Sequence, residues 1–423
     1  MTRQRRRRHA RARISFVRVF ARAAVGFTLA AILIWVAGEI VRSPAVDRAA
    51  AANNRWIEWE RRLYGQMDEV DLQRIEQAAK ARLAAQPLDH RAIRLVALVA
   101  ASRGEMARAE GLMELAIERA PGDVDAHAWL FDQKFALGDI VSALPHLNAI
   151  LRVQPQAVAQ ALPAIYAIAA ADGGVAAIVS LLSADPPWRR ALLAQLIRNA
   201  PDAGRTTLEI FQAMITAGLQ PPNEEITPFL DRLVRDERYE EAFALWRRWR
   251  GRHETRRSRQ YIFDGAFAVD PTGAPFEWQL ARGAGFRTGF EAASGESDRA
   301  LKLEFTGARV RFQHVNQLLM LPAGQYRLTG RFKTDDFATP RGLRWSVACA
   351  GQDGRTLAAS DLLREADDWR SFNFSFERPP ENCAAQWLTL AIAARIPSEF
   401  EISGRIWFDD LEIAETRQEA LFD

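Results

Sequence analysis

The stretch LPAGQYRLTGRFKT, residues 321–334, decides the fold of the C-terminal third of the chain. After a turn signal at its proline and glycine, apolar side chains such as Leu328 and Phe332 alternate with polar ones such as Arg327 and Arg331. Successive side chains of a strand point to opposite faces, so this period of two predicts an antiparallel strand with one buried and one solvated face.

The same alternation recurs on both sides of this stretch. In WRSFNFSFERP, residues 369–379, three phenylalanines alternate with Ser371, Asn373 and Ser375. Further strands are predicted at residues 261–269, 299–305, 312–321, 343–349, 386–394 and 404–413. Eight or more short strands separated by turn residues predict an all-β jelly-roll sandwich over residues 261–416.

The order of local patterns in this segment resembles the galactose-binding-like jelly rolls of carbohydrate-binding modules. The stretches that carry the resemblance are FDGAF at 263–267, RALKLEF at 299–305, LPAGQYRLTGRFKT at 321–334, WRSFNFSFERP at 369–379 and IWFDDLEI at 406–413. The resemblance implies that the sandwich binds a glycan or descends from a domain that did.

Modules of this kind often hold a structural calcium ion between an acidic residue near the first strand and another in the last. Asp409 or Asp410 would correspond to the second residue, but Ala268 stands where the first is usual, so no metal is predicted. Neighbours on a strand point to opposite faces, so we also expect Asp409 and Asp410 not to flank one glycosidic bond as a catalytic pair.

A sugar site needs a flat aromatic side chain for the apolar face of the ring and polar groups for its hydroxyls. Strand alternation places a set of such residues on polar faces, and these are the candidate glycan-binding residues: Trp387, Arg331, Arg344 and Asn373. Trp387 is the tryptophan that alternation puts on a polar face. Packing of Trp387 beneath a loop is the alternative.

Catalytic and cofactor motifs are absent from the sequence. There is no glycine-rich phosphate loop and no G-x-S-x-G elbow, and the six histidines include no pair at the spacing of a zinc protease. Two cysteines cannot form a four-thiolate zinc site. We therefore predict no catalytic residue and no cofactor.

Residues 48–250 are rich in alanine and leucine at helical spacing and carry a repeat of 34 residues. Gly104 and Gly138 lie one repeat apart and predict tight turns between helices, because glycine adopts conformations closed to other residues. Prolines that cannot continue a helix fall at the same interval, at Pro87, Pro121 and Pro155. Residues 251–260, charged and without apolar periodicity, are predicted to be a linker.

This pattern resembles the tetratricopeptide repeat and is best preserved at residues 90–121 and 124–155. The resemblance implies an all-α solenoid whose concave groove binds a protein partner. By resemblance, the groove positions include Arg91, Arg94, Asp125, Ala128 and Asp132, of which the four charged residues are the candidate protein-binding residues. Solvated polar faces of structural helices are the alternative.

The N-terminus predicts a membrane anchor. Residues 1–22 carry nine arginines and no acidic residue, and residues 23–41 form an apolar run that is long enough to cross a bilayer. Positive charge that flanks the first membrane span is retained in the cytoplasm. We therefore expect a bacterial inner-membrane protein with one membrane helix, a cytoplasmic N-terminus and a periplasmic bulk, with a cleaved signal peptide as the alternative.

The net charge of +3 is due to this tail, and the rest of the chain is net negative. No nucleic acid is therefore expected as a partner.

The only two cysteines, Cys349 and Cys383, lie in the segment predicted to be exported, where oxidation persists, so we expect them to form a disulfide.

The predicted fold class is thus multi-domain, with a single transmembrane helix, a helical solenoid and a β-sandwich. Together these parts predict a non-catalytic envelope scaffold that binds an envelope protein and a polysaccharide, in polysaccharide assembly or export. Two alternatives remain open: a glycan-active hydrolase or lyase, and a structural adaptor whose sandwich binds protein.

Overall fold

The fold is described from a computed structural model of the chain. It describes residues 58, 63, 67–200, 202, 204–251, 261–292, 299–351 and 354–416. The predicted basic tail (1–22), the predicted membrane helix (23–41) and all but the first residue of the predicted linker lie outside these residues. In the part of the chain that is described, no helix is long and apolar enough to cross a membrane.

The chain divides into two compact units, residues 1–213 and 214–423. The N-terminal unit is built from α-helices, the last of which runs past the point of division. They are α1 (Glu69–Ala85), α2 (His90–Ser102), α3 (Met106–Arg119), α4 (Val124–Ala136), α5 (Ile140–Val153), α6 (Val158–Ala169), α7 (Gly174–Ser183), α8 (Arg189–Arg198) and α9 (Arg205–Thr216).

The helices follow the sequence repeat. Helices α2 and α4 begin 34 residues apart, as do α3 and α5. Gly104 and Gly138 have φ angles of 81° and 78° and form the turns within the two pairs, as predicted. Ala109 and Ala143 are fully buried, which lets the paired helices approach closely. Membership in the tetratricopeptide-repeat family stays a prediction.

The C-terminal unit begins with a helical pair, α10 (Asn223–Arg235) and α11 (Tyr239–Arg250), which lies at the end of the segment predicted to be helical. Among the described residues ten strands follow, in chain order: β1 (Gln279–Leu280), β2 (Phe286–Ala292), β3 (Arg299–Arg309), β4 (Val315–Leu319), β5 (Gly324–Ala338), β6 (Leu343–Cys349), β7 (Thr356–Ala359), β8 (Arg370–Arg378), β9 (Gln386–Ile392) and β10 (Glu401–Glu415).

These strands form two antiparallel five-stranded sheets, which confirms the predicted sandwich. Sheet I has the order β1-β4-β9-β6-β7, and sheet II has the order β2-β3-β10-β5-β8. Apolar side chains from both sheets fill the space between them, among them Trp345, Leu388, Leu328 and Phe408, all fully buried. The polar residues of each strand therefore lie on the outward faces of the two sheets.

The strand predicted at residues 261–269 is wrong. This segment forms turns, with φ angles of 51° at both Asp264 and Phe267, which a strand cannot contain. The Asp264 carboxylate accepts hydrogen bonds from the backbone N–H groups of Ala268 and Val269. Local side-chain bonds of this kind favour turns over strands.

The predicted disulfide is confirmed. Cys349 at the end of β6 is bonded to Cys383 in the loop before β9, with 5.0 Å between the Cα atoms. Both residues are buried. The bond ties the end of one sheet I strand to the entry of its neighbour, because β6 and β9 pair in the sheet.

Helix α11 packs on the loop that leads into β1. Trp246 contacts the rings of Phe263 and Phe276 at centroid distances of 5.5 and 5.6 Å. Glu277, fully buried, accepts a hydrogen bond from Trp246 Nε1 and lies 3.1 Å from Arg250 Nε. Within the C-terminal unit, the helical pair therefore contacts the loop before β1 through both aromatic packing and a hydrogen bond.

Candidate functional site

A row of polar side chains crosses the outward face of sheet I. Gln279 of β1 lies opposite Asn316 of β4, Asn316 lies opposite Thr389 of β9, and Thr389 lies opposite Ser346 of β6. Neighbouring strands lie about 4.8 Å apart, so these four side chains span about 14 Å. All four are half-buried, and they offer amide and hydroxyl groups to a ligand on this face.

Trp387 flanks the row. It precedes Thr389 by two positions on β9, so its side chain lies on the same face, about 7 Å along the strand. The indole is half-buried. Leu318, opposite Trp387 on β4, is 1% exposed. Its backbone N–H donates a hydrogen bond to the Pro275 carbonyl at 3.3 Å, so the loop before β1 runs along β4. Arg344 lies on the opposite side of the row and is exposed.

The row ends at an open cavity of about 560 Å³ beside β1 and β4. Gln279 and Asn316 line it from the sheet, Thr272 lines it from the loop before β1, and Asp231 lines it from helix α10. His314, the residue before β4, also contributes to the wall. Its volume falls within the range of small-molecule and saccharide sites.

Two titratable side chains line this cavity, Asp231 and His314. Burial raises the pKa of Asp231, against the charge of Arg235 one turn further along α10. The ring of His314 stacks on Phe286 at 4.7 Å, and its Nδ1 accepts a hydrogen bond from the backbone N–H of Gln313 at 3.2 Å. With Nδ1 accepting, Nε2 of His314 is available as a donor.

The structure separates the four residues predicted to bind a glycan. Trp387 and Arg344 share the outward face of sheet I, where Arg344 precedes Ser346 by two positions on β6. Arg331 of β5 and Asn373 of β8 lie on the outward face of sheet II. The packed core lies between the two sheets, so the four side chains cannot contact one ligand.

On sheet II, Arg331 belongs to a local cluster. Its guanidinium stacks on Trp369 at 4.5 Å and pairs with Asp409 at 2.6 Å and Asp410 at 2.9 Å. Burial raises the pKa of Asp409, which is 4% exposed, while Arg331 acts to lower it. Trp407 is also buried on this outward side, in a small cluster with Ala300 and Trp369.

The expectation that Asp409 and Asp410 point to opposite faces is wrong, since both carboxylates reach Arg331. The register of β10 against β5 shifts between Asp409 and Glu412, and Asp410 has a φ angle of 52°. This bulge breaks the alternation on which the expectation depended.

The predicted groove residues of the helices lie in different surroundings. Arg94 is 5% exposed and pairs with both Asp123 and Asp125. Arg91 is exposed at the start of α2. Burial raises the pKa of Asp132 to about 7, and its Oδ1 has no hydrogen-bond partner among the described residues.

Asp123 was not singled out by sequence reasoning, although it organises this region. Its carboxylate accepts hydrogen bonds from Arg94, from the His90 ring and from the backbone N–H of Ala126. It thereby links α2 to the start of α4. An aspartate directly before the first residue of a helix is a helix-capping signal that could have identified it.

Among the described residues, no three His, Cys, Asp or Glu side chains come together as ligands of a metal ion. No known family model matches the sequence, and no curated protein matches it.

Several of the solved structures that are similar to part of the chain are carbohydrate-binding modules. A CBM4 structure is 16% identical, covers 37% of this chain and 99% of its own, and has a TM-score of 0.28. The CBM22-1 xylan-binding domain of Xyn10C from Paenibacillus barcinonensis is 13% identical, with coverages of 33% and 86% and a TM-score of 0.25.

A third structure, TmCBM61 in complex with β-1,4-galactotriose, is 15% identical, covers 38% of this chain and 100% of its own, and has a TM-score of 0.25. The two-sheet sandwich itself is established by the strand registers of this chain.

Proposed function

We propose that the C-terminal unit binds a polysaccharide without catalysis, and that the binding surface is the outward face of sheet I. The observation that carries the proposal is the register that aligns Gln279, Asn316, Thr389 and Ser346 in one row beside Trp387. An extended row of neutral hydrogen-bonding groups next to an indole suits a chain of sugar rings better than a compact metabolite.

The stacking partner in this proposal is Trp387. A pyranose ring has an apolar face of C–H groups and an edge of hydroxyls, so it needs an aromatic surface beside polar side chains. Trp387 and the row supply the two kinds of contact about 7 Å apart on one strand. Ala348 and Ala391 lie on the same face in β6 and β9, and their small side chains are half-buried.

We further propose that the helical part is a tetratricopeptide-type scaffold that binds an envelope protein, and that the N-terminal apolar run anchors the protein in the inner membrane. The 34-residue spacing of the helices and the arginine-flanked apolar run support these two points. A scaffold with a sugar-binding unit fits polysaccharide assembly or export.

A reporter that is active only in the periplasm, fused after Arg250, tests the topology of the membrane anchor and should be active. Activity of a cytoplasm-only reporter at the same position would contradict the proposed topology.

The binding proposal is tested on a glycan array probed with the full chain and with its Trp387→Ala and Trp387→Phe variants. The full chain should bind a set of related oligosaccharides, Trp387→Ala should lose at least about tenfold in affinity, and Trp387→Phe should retain most of it. Absence of binding to every glycan, or equal binding by Trp387→Ala, would overturn the proposal. Release of new sugar ends from a bound glycan would overturn its non-catalytic part.

A further inference from the structure

The cavity at the end of the polar row is not formed by the sandwich alone. Helix α10, which lies outside the two sheets, supplies Asp231 as one wall. The other polar wall residues are Gln279, Asn316, His314 and Thr272. The helical pair is therefore positioned to take part in ligand binding.

The buried carboxylate of Glu277 connects the loop that lines the cavity to the helical pair. Glu277 Oε2 accepts hydrogen bonds from the backbone N–H and the hydroxyl of Thr272, at 2.6 and 2.8 Å, and Oε1 accepts from Trp246 of α11. Thr272 lines the cavity, and Gln279 follows Glu277 by two residues. One buried group thus holds the loop, the start of β1 and the helical pair together.

The Asp231 carboxylate is half-buried, and no hydrogen-bond donor of the described residues contacts it. A carboxylate that is partly buried and accepts no hydrogen bond from the protein has lost hydrogen bonds to water. A hydrogen-bond donor on a ligand would replace them. The amide groups of Gln279 and Asn316 also have no side-chain partner among the described residues. Three polar groups that face one cavity can therefore bind a ligand without breaking a bond that the protein already has.

The charge of the cavity restricts the ligand. None of the described residues that line it is lysine or arginine, so the lining is negative. A uronate, sulfate or phosphate would meet repulsion from Asp231 and would find no cation among the described lining residues, since Arg235, which acts on Asp231 along α10, does not line the cavity. An ammonium group would form a charge-assisted hydrogen bond with it, about twice as strong as a neutral one.

We propose that Asp231 makes the cavity a subsite for a sugar that carries a free amine, with the ammonium on Asp231 and the ring hydroxyls on Gln279 and Asn316. The inference rests on the proposed glycan binding by sheet I and specifies the ligand class at one end of that site. Asp231 would act as the specificity-determining residue, supplied by the helical pair.

The test compares two probes that differ only in acetylation: a β-1,4-linked glucosamine tetrasaccharide and its fully N-acetylated counterpart. Calorimetry measures the affinity of each probe for the full wild-type chain and for its Asp231→Asn variant. We expect the free-amine probe to bind at least about tenfold more tightly, and Asp231→Asn to abolish that preference. Asp236→Asn is the matched control, because Asp236 is exposed, lies just after α10 and does not line the cavity, and it should keep the preference.

Equal binding of both probes, or a preference that survives Asp231→Asn, would overturn the subsite while leaving glycan binding by sheet I intact. If neither probe binds but array glycans do, and their binding is lost in Trp387→Ala, the amine assignment is also overturned and the wider proposal stands. Absence of binding to any saccharide would overturn both proposals together.

Discussion

Trp246 Nε1 donates a hydrogen bond to Glu277 Oε1 at 3.1 Å, and this bond joins helix α11 to the strand segment that lines the cavity. The carboxylate is fully buried and has Arg250 and Thr272 as its other partners. Burial of a charge costs free energy unless every lone pair finds a donor, and here the donors come from a helix and from a loop. The helical pair and the sandwich therefore stabilise one another.

We predict that Glu277→Gln lowers the free energy of unfolding by about 2 kcal/mol, because it leaves Arg250 without its carboxylate and places an amide N–H₂ group among donors. Urea unfolding of the full chain, followed by tryptophan fluorescence, measures this change. Glu240→Gln, at an exposed position of helix α11, should change stability by less than about 0.5 kcal/mol. Equal stability of the two variants would mean that the buried carboxylate does not hold the helical pair.

The disulfide between Cys349 and Cys383 should stabilise the sandwich. It closes a loop of 34 residues, and its removal in a Cys349→Ser, Cys383→Ser double variant should cost about 3 to 4 kcal/mol. A reducing agent should lower the unfolding midpoint of the wild-type chain and leave that of the double variant unchanged. Two reactive thiols in denatured, unreduced protein would show that the bond does not form.

Asp123 should make the stability of the helical unit depend on pH. Burial acts to raise its pKa, but the Arg94 charge and the hydrogen bonds from His90 and Ala126 hold the pKa below 3.8. A carboxyl with a lowered folded-state pKa stabilises the fold above its unfolded pKa, and this contribution is lost as pH falls through the folded pKa. We therefore expect Asp123→Asn to cost about 3 kcal/mol at pH 7, and the difference from wild type to shrink below about pH 4.

The measurement is a series of urea unfolding curves between pH 3 and pH 7 for the wild type and Asp123→Asn. Asp185→Asn, whose carboxylate is 85% exposed, is the control and should follow the wild type at every pH. A difference between wild type and Asp123→Asn that stays constant to the lowest pH would contradict the assignment.

The predicted protein-binding role of the helices can be tested apart from their stability. Arg94 pairs with the buried Asp123, so charge reversal there would disturb the fold. Arg91 is exposed, and Arg91→Glu should weaken co-purification of an envelope partner without lowering the unfolding midpoint. Retention of every partner by Arg91→Glu would argue against a groove at this position.

The strands that the sequence predicted most accurately are those in which apolar and polar residues alternate regularly. Residues 343–349 were predicted as a strand and form β6 with the same bounds, because the apolar positions of this strand alternate without interruption. Strand β2 (Phe286–Ala292) was missed, since its two phenylalanines lie four residues apart with Gly289 between them and each is followed by a charged residue. The predicted strand at 261–269 was wrong because aspartate and glycine there favour turns.

The candidate site was only partly visible in the sequence. Alternation put Trp387 and Arg344 on a polar face, and the structure places both on the outward face of sheet I. Alternation cannot tell which sheet a strand joins, so Arg331 and Asn373 were grouped with them although they lie on sheet II. The contribution of Asp231 depends on how a helix packs beside β1, a two-residue strand with no periodic signal of its own.

The central claim is that a glycan binds on the outward face of sheet I, and calorimetric titration of two matched leucine variants tests it most directly. Ser346→Leu places bulk at the β6 end of the polar row, beside Thr389, and Asn373→Leu makes the same kind of change on sheet II. With an oligosaccharide selected on the array, we predict that Ser346→Leu weakens binding by at least about tenfold and that Asn373→Leu stays within about threefold of wild type. Loss of binding in Asn373→Leu with retention in Ser346→Leu would contradict the claim.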